Sequence, residues 1–192
     1  MVGADSLALI AADIRMCRAC PLCESAIQAV PGSGCADARL MLVGEAPGAR
    51  EDEAGMPFVG ASGKVLDKLL MLAGLSRSAV FIANVVKHRP PQNRDPLPAE
   101  VLACARFLQR QIAVVNPLVI VPLGRHAAAR WIAGIKISSD HGIPHRIDER
   151  IVVPMLHPAT ALYQPRNMAI LGADFHALGE LYRTVLREAV NE

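Results

Sequence analysis

Leu40-Met41-Leu42-Val43-Gly44-Glu45-Ala46-Pro47-Gly48 decides the fold, because four apolar residues run straight into a Gly/Pro-shaped turn that carries one ionisable side chain. A short continuous apolar run bounded by turn residues reads as a strand buried on both faces. A second stretch, Ile151-Val152-Val153-Pro154-Met155-Leu156-His157-Pro158-Ala159, repeats the pattern with a histidine where the first has a glutamate. Ligands of open parallel sheets bind in the crevice outside the carboxyl ends of the strands. Glu45 and His157 therefore stand where chemistry is expected.

Two further strands lie between them, at Val80 to Val86 and Leu118 to Leu123, the latter ending at Gly124. Helical spacing alternates with the strands. A first helix runs over 5 to 16, capped by Asp5 or Ser6, and a second over 62 to 73, with Gly74 as its stop. A third runs from Pro98, suited to a first turn, to about Val115, a fourth from Arg125 to Ile132, and a last over 167 to 190. The loop 87 to 97 holds Pro90, Pro91 and Pro96 and continues neither kind of structure. This alternation predicts a three-layer α/β/α fold around a central four-stranded, mostly parallel sheet with right-handed crossovers.

With 192 residues, 52% of them apolar, and no long linker or repeat, the chain is expected to form a single domain over 1–192. A net charge of +2 permits nucleic-acid binding without indicating it. No run approaches the roughly 18 apolar residues of a membrane span, and the amino terminus has no secretory pattern. A cytoplasmic protein is expected.

Cysteines at 17, 20, 23, 35 and 104 form an odd set, and a chain this long needs no disulfide staples, so a metal or cluster is the better reading. Cys17-Arg18-Ala19-Cys20, extended by Cys23, has spacing shared with some iron–sulfur proteins, and the pair alone also suits zinc.

Three strand tips carry hydrogen-bonding groups: Glu45, Asn84 and His157. An amide satisfies the edge of a planar heterocycle, an imidazole donates to a developing anion, and a carboxylate stabilises a cation or orients water. That set suits cleavage of a base from a sugar. Asn84 in an apolar strand is hard to explain otherwise, since a buried amide requires partners.

At these residues the chain resembles the family 4 uracil-DNA glycosylases over nearly its whole length. The resemblance rests on Cys17-x2-Cys20, Gly44-Glu45-Ala46-Pro47-Gly48 with Glu51-Asp52, Pro57-Phe58-Val59-Gly60, Ala83-Asn84-Val85-Val86-Lys87, Arg89-Pro90-Pro91, Asn93-Arg94-Asp95-Pro96, Cys104 and His157-Pro158-Ala159. It implies a monofunctional enzyme that hydrolyses uracil, with room for other deaminated bases, from DNA and leaves an abasic site. Phe58 would stack on the everted base, Asn84 would read its polar edge, and His157 would bond the carbonyl oxygen that gains charge. Gly44, Glu45 and Ala46 would line the sugar side. Ala46 stands where better-known uracil glycosylases have an aspartate, so Glu45 or Asp52 is expected to handle the water.

The resemblance also implies a 4Fe-4S cluster on Cys17, Cys20 and Cys104. The family's remaining cysteine falls where this chain has His88, so the fourth ligand is expected to be His88, with Cys23 as the substitute. Lys87, Arg89 and Arg94, with Arg125, His126 and Arg130, are expected on a basic rim that meets phosphate. The segment after His157 would enter the minor groove, with Leu162 or Tyr163 as wedge and Arg166 on phosphate. A monomer is expected. The alternative is a cluster-bearing DNA-binding or redox-sensing protein on the same scaffold without excision.

Overall fold

The computed structural model describes residues 5–191, and these build one sheet with helices on both faces. Strand β1 is Ser33–Gly34, β2 Leu40–Gly44, β3 Phe81–Asn84, β4 Val119–Pro122, β5 His145–Ile147 and β6 Arg150–Val152. The helices are α1 (Leu7–Met16), α2 (Leu22–Ser25), α3 (Ala49–Ala54), α4 (Ala61–Leu72), α5 (Pro98–Val115), α6 (Arg125–Ala128), α7 (Ile137–Asp140), α8 (Thr160–Tyr163) and α9 (Arg166–Asn191). Short 3-10 turns cover Arg77–Ala79 and Pro91–Asn93.

The sheet has six strands in the order β1-β3-β2-β4-β6-β5, not the four expected. β2, β3, β4 and β6 are parallel, and these are the four strands that their apolar runs announce. β1 and β5 are added antiparallel at the two edges. Each is only two or three residues long, and neither β1 nor β5 contains a fully buried residue, so neither carries a hydrophobic signal of its own. β5 joins β6 through a tight turn at Asp148, whose φ of +52° an aspartate tolerates.

Alternation along β2 divides the core. Met41 and Val43 pack with Phe81, Ala83, Ile10, Ile14 and Phe107, beneath α1 and α5. Leu40 and Leu42 pack with Ile82, Val121, Leu66, Leu70, Leu171 and Phe175, beneath α4 and α9. Three layers follow directly from the period-two geometry of a strand buried on both faces.

The chain leaves β2 for β3 on one side and then crosses to β4 on the other, which makes the carboxyl end of β2 the place where the strand order reverses. Crossover segments diverge there and leave a crevice. The ladder continues past the strands: Val85 and Val86 N–H donate to Gly44 and Glu45 carbonyls, and Gly124 N–H donates to Met155. The loops that follow are thereby anchored at their roots. Among the described residues no helix is long and apolar enough to cross a membrane.

Candidate active site

A cleft of about 320 Å³ opens at this crevice. The loop after β2 contributes Glu45, Ala46, Gly48, Glu51 and Phe58, β3 contributes Asn84, the proline-rich loop contributes Asn93 to Asp95, and the segment after β6 contributes His157. Four residues expected to act on one nucleobase and its sugar thus face one cavity.

Gly44 and Asn84 are paired across β2 and β3. A side chain at Gly44 would come within 2.3 Å of Asn84 Oδ1 and 2.7 Å of Phe58 Cε2, so only glycine lets the amide and the ring converge. Asn84 is 2% exposed, and its Oδ1 has no hydrogen-bond partner. A buried acceptor left unpaired costs on the order of 1–3 kcal/mol, so this oxygen is poised for a donor from outside the protein.

Phe58 takes φ +53°, a left-handed conformation rare for an aromatic residue. The surroundings dictate it. Its carbonyl accepts from the Arg77 guanidinium, and the next two residues, Val59 and Gly60, donate their N–H groups to Glu51 Oε1 at 2.9 and 2.8 Å. Gly63 completes the constraint, since any Cβ there would strike the Phe58 carbonyl at 1.9 Å. The ring that results lies 5.7 Å from the His157 ring, centroid to centroid, at 31°.

Burial holds the His157 pKa down at about 4, with Glu51 pulling weakly the other way. The imidazole is therefore neutral at physiological pH. Its Nδ1 accepts from Ala159 N–H at 3.2 Å, which leaves the proton on Nε2, free to donate into the cleft. Burial raises the Glu45 carboxyl, His126 and Arg125 lower it, and Asp95 raises it further.

Asp52, a candidate for handling water, is instead 1% exposed and accepts from Ile27 and Gln28 N–H at 2.9 and 3.2 Å. It ties the amino-terminal segment to α3. Lys87, expected on the rim, is also buried at 1% exposure. Its ammonium donates to the Asn84 carbonyl and to Gln111 Oε1, both at 2.7 Å, and burial lowers its pKa to about 8. From there it braces β3 and reaches no phosphate. Much of the rest of the rim is internally paired: Arg94 makes a two-pronged pair with Glu100, and Arg125 and His126 both meet Asp95. Arg89 donates to Asn93 Oδ1 at 2.7 Å, while Leu162, Tyr163 and Arg166 are exposed on and beside α8.

α1 ends at Cys17 and packs on α5, which carries Cys104, and all five thiols are free. Burial pushes the Cys20 and Cys104 thiols up, Cys17 raises both, Cys20 raises Cys104, and Lys87 lowers Cys104. Thiolate donors suit a metal group, but among the described residues the set whose ligand atoms all lie within 4.8 Å of one another is Glu45, Asp95 and His126 rather than these cysteines. His88 is buried and shares a second cavity of about 230 Å³ with Cys23, Arg15 and Arg18.

Sequence reasoning gave Asp95 and His126 no shared role, and assigned none to Glu51. Asp95 lies in the proline-rich loop and His126 in α6, and no spacing rule connects them.

The description of the Uracil DNA glycosylase superfamily matches residues 31–179, which contain every cleft residue named above. The type-4 uracil-DNA glycosylase of Sulfurisphaera tokodaii is 43% identical over 197 residues, covering 97% of this chain and 90% of the relative. That of Saccharolobus solfataricus is 42% identical, covering 92% and 86%, and that of Archaeoglobus fulgidus is 42% identical, covering 92% and 94%. With a family match over most of its length and relatives at this identity, the chain belongs to the uracil DNA glycosylase superfamily.

Proposed function

We propose that this chain removes uracil from DNA by hydrolysing the N-glycosidic bond, leaving an abasic site for base excision repair. Relatives at 41–43% identity over most of the chain are type-4 uracil-DNA glycosylases. The observation that carries the reading is Asn84 Oδ1, buried without a hydrogen-bond partner in one cleft with Phe58 and His157.

An everted uracil meets that amide with N3–H as donor and O4 as acceptor. Cytosine presents an acceptor and an amine in those places, so both contacts invert and a buried polar group stays unpaired. Phe58 offers its face for stacking. As the bond to C1′ breaks, negative charge grows on the base, and the His157 Nε2–H is a preorganised neutral donor for the carbonyl oxygen that receives it. Glu45, beside the backbone of Gly44 and Ala46, faces the sugar, where positive charge develops. Water adds to C1′, its proton passes to the Glu45 carboxylate, and the base leaves as an anion.

Arg89 and Arg166 are the candidates for phosphate, and Leu162 on the exposed α8 is the candidate wedge that holds the duplex open. Cys17, Cys20, His88 and Cys104 would hold a 4Fe-4S cluster, which when bound supplies a cross-link between the amino-terminal segment and α5. Every residue invoked comes from one chain, so a monomer of one domain suffices.

The test is excision from an oligonucleotide containing a single uracil, followed by alkali. Strand breaks at the uracil position, absent with cytosine and lost in Asn84→Ala, are expected. A folded protein that yields no alkali-labile site with uracil or another deaminated base overturns the reading in favour of binding without excision.

A further inference from the structure

At the mouth of the cleft Glu45 meets two groups from separate elements that the chemistry above leaves without a task. A carboxylate oxygen of Glu45, one of Asp95 and a ring nitrogen of His126 all lie within 4.8 Å of one another. Asp95 comes from the proline-rich loop after β3, and His126 from α6 after β4. His126 Nε2 is 2.9 Å from Asp95 Oδ2, and Arg125 places Nη2 at 3.2 Å from the same oxygen and Nε at 3.0 Å from His126 Nε2.

A carboxylate pair with an imidazole would suit a divalent cation, but the Arg125 guanidinium already supplies positive charge beside both Asp95 and His126. The geometry at His126 Nε2 instead describes a site with two settings. Protonated, Nε2 donates to Asp95; unprotonated there, it accepts from Arg125 Nε–H. The nitrogen has a partner whichever ring nitrogen carries the proton, so the imidazole is held between Asp95 and Arg125.

We propose that Asp95 and His126 are positioning residues for Glu45, together directing its carboxylate at the attacking water. This rests on the glycosylase reading and fills the place that Ala46 leaves in the Gly44–Gly48 turn. Burial disfavours the charged form of Glu45, and His126 and Arg125 oppose that while Asp95 adds to it. The other charged or titratable groups on the cleft wall are engaged elsewhere. Glu51 is bonded to the Gly48, Val59 and Gly60 N–H groups, Arg94 is paired with Glu100, and His157 is neutral. The balance at Glu45 therefore lies with its three neighbours.

Single-turnover and steady-state excision of uracil from a single-stranded oligonucleotide, followed across mildly acid to neutral pH, tests the assignment in the full chain. His126→Gln should move the acid limb of the rate to higher pH, and Asp95→Asn should move it to lower pH. Each should lower kcat about tenfold or more with KM little changed, and Asp95→Glu should restore the wild-type limb. Asp95 and His126 are partly exposed, and matching thermal midpoints will establish that the variants fold. If wild type excises uracil and both variants keep its pH profile, this assignment falls alone; if wild type excises nothing, the glycosylase reading falls first. Loss of activity in a chelator, restored by a divalent cation, would also overturn it and put a metal in place of Arg125.

Discussion

His157 is both the most exposed to consequence and the easiest to test. Removing one preorganised donor to a developing anion lowers turnover by about 100- to 1000-fold, so His157→Ala should lose that much in single-turnover rate while binding of the oligonucleotide changes far less. The same side chain ties stability to pH. Its folded pKa of about 4 lies below the ordinary value of 6.5, so the unfolded chain binds the extra proton first. Stability is complete above about 6.5 and declines as the pH falls toward 4, by up to about 3 kcal/mol. Urea unfolding at neutral and mildly acid pH should show this decline, and His157→Gln should flatten it. Gly44→Ala is the second residue-scale test: its methyl would displace Asn84 and Phe58 from each other, and excision should fall by about 100-fold or more while β2 stays paired. Asn84 was legible as a site residue because an amide in an apolar strand needs a reason. Lys87 was misread because charge in a proline-rich loop ordinarily means solvent, and only the packing of α5 over β3 shows that Gln111 Oε1 and the Asn84 carbonyl accept its hydrogen bonds.

One side chain of α3 bonds both ends of the loop from Glu45 to Gly60. Glu51, 8% exposed, accepts from Gly48, Val59 and Gly60 N–H, which fixes both the turn beside Glu45 and the unusual backbone of Phe58. Hydrogen bonds to a charged group contribute about 1.5–3 kcal/mol, so Glu51→Gln should lower unfolding free energy by about 2 kcal/mol in chemical denaturation. Excision should fall with it, through loss of the placed Phe58 ring rather than loss of a reacting group. The parallel strands and the longer helices were visible because a strand buried on both faces must be apolar throughout and an amphipathic helix must repeat on its own period. The edge strands β1 and β5 were not, because they are made by pairing with β3 and β6 and not by any pattern of their own.

At the scale of the molecule, Asp52 holds the amino-terminal segment at Ile27 and Gln28, and a second contact packs Cys17 and Cys20 against the core cluster that contains Cys104 of α5. If a cluster bridges the second, Cys104→Ala should reduce folded yield, iron content and brown colour together, whereas His88→Cys should retain all three; iron assay and visible absorption check both. The sequence by itself determined the layered α/β/α order, the helix caps and the three strand tips that carry Glu45, Asn84 and His157, because backbone periodicity and turn chemistry act between near neighbours. Only the tertiary structure decided that Asn84 Oδ1 stays unpaired, that Lys87 turns inward, and that Asp95 and His126 meet Glu45. Those outcomes depend on which distant loops share a boundary and how much water is left there, and no local pattern along a chain encodes that.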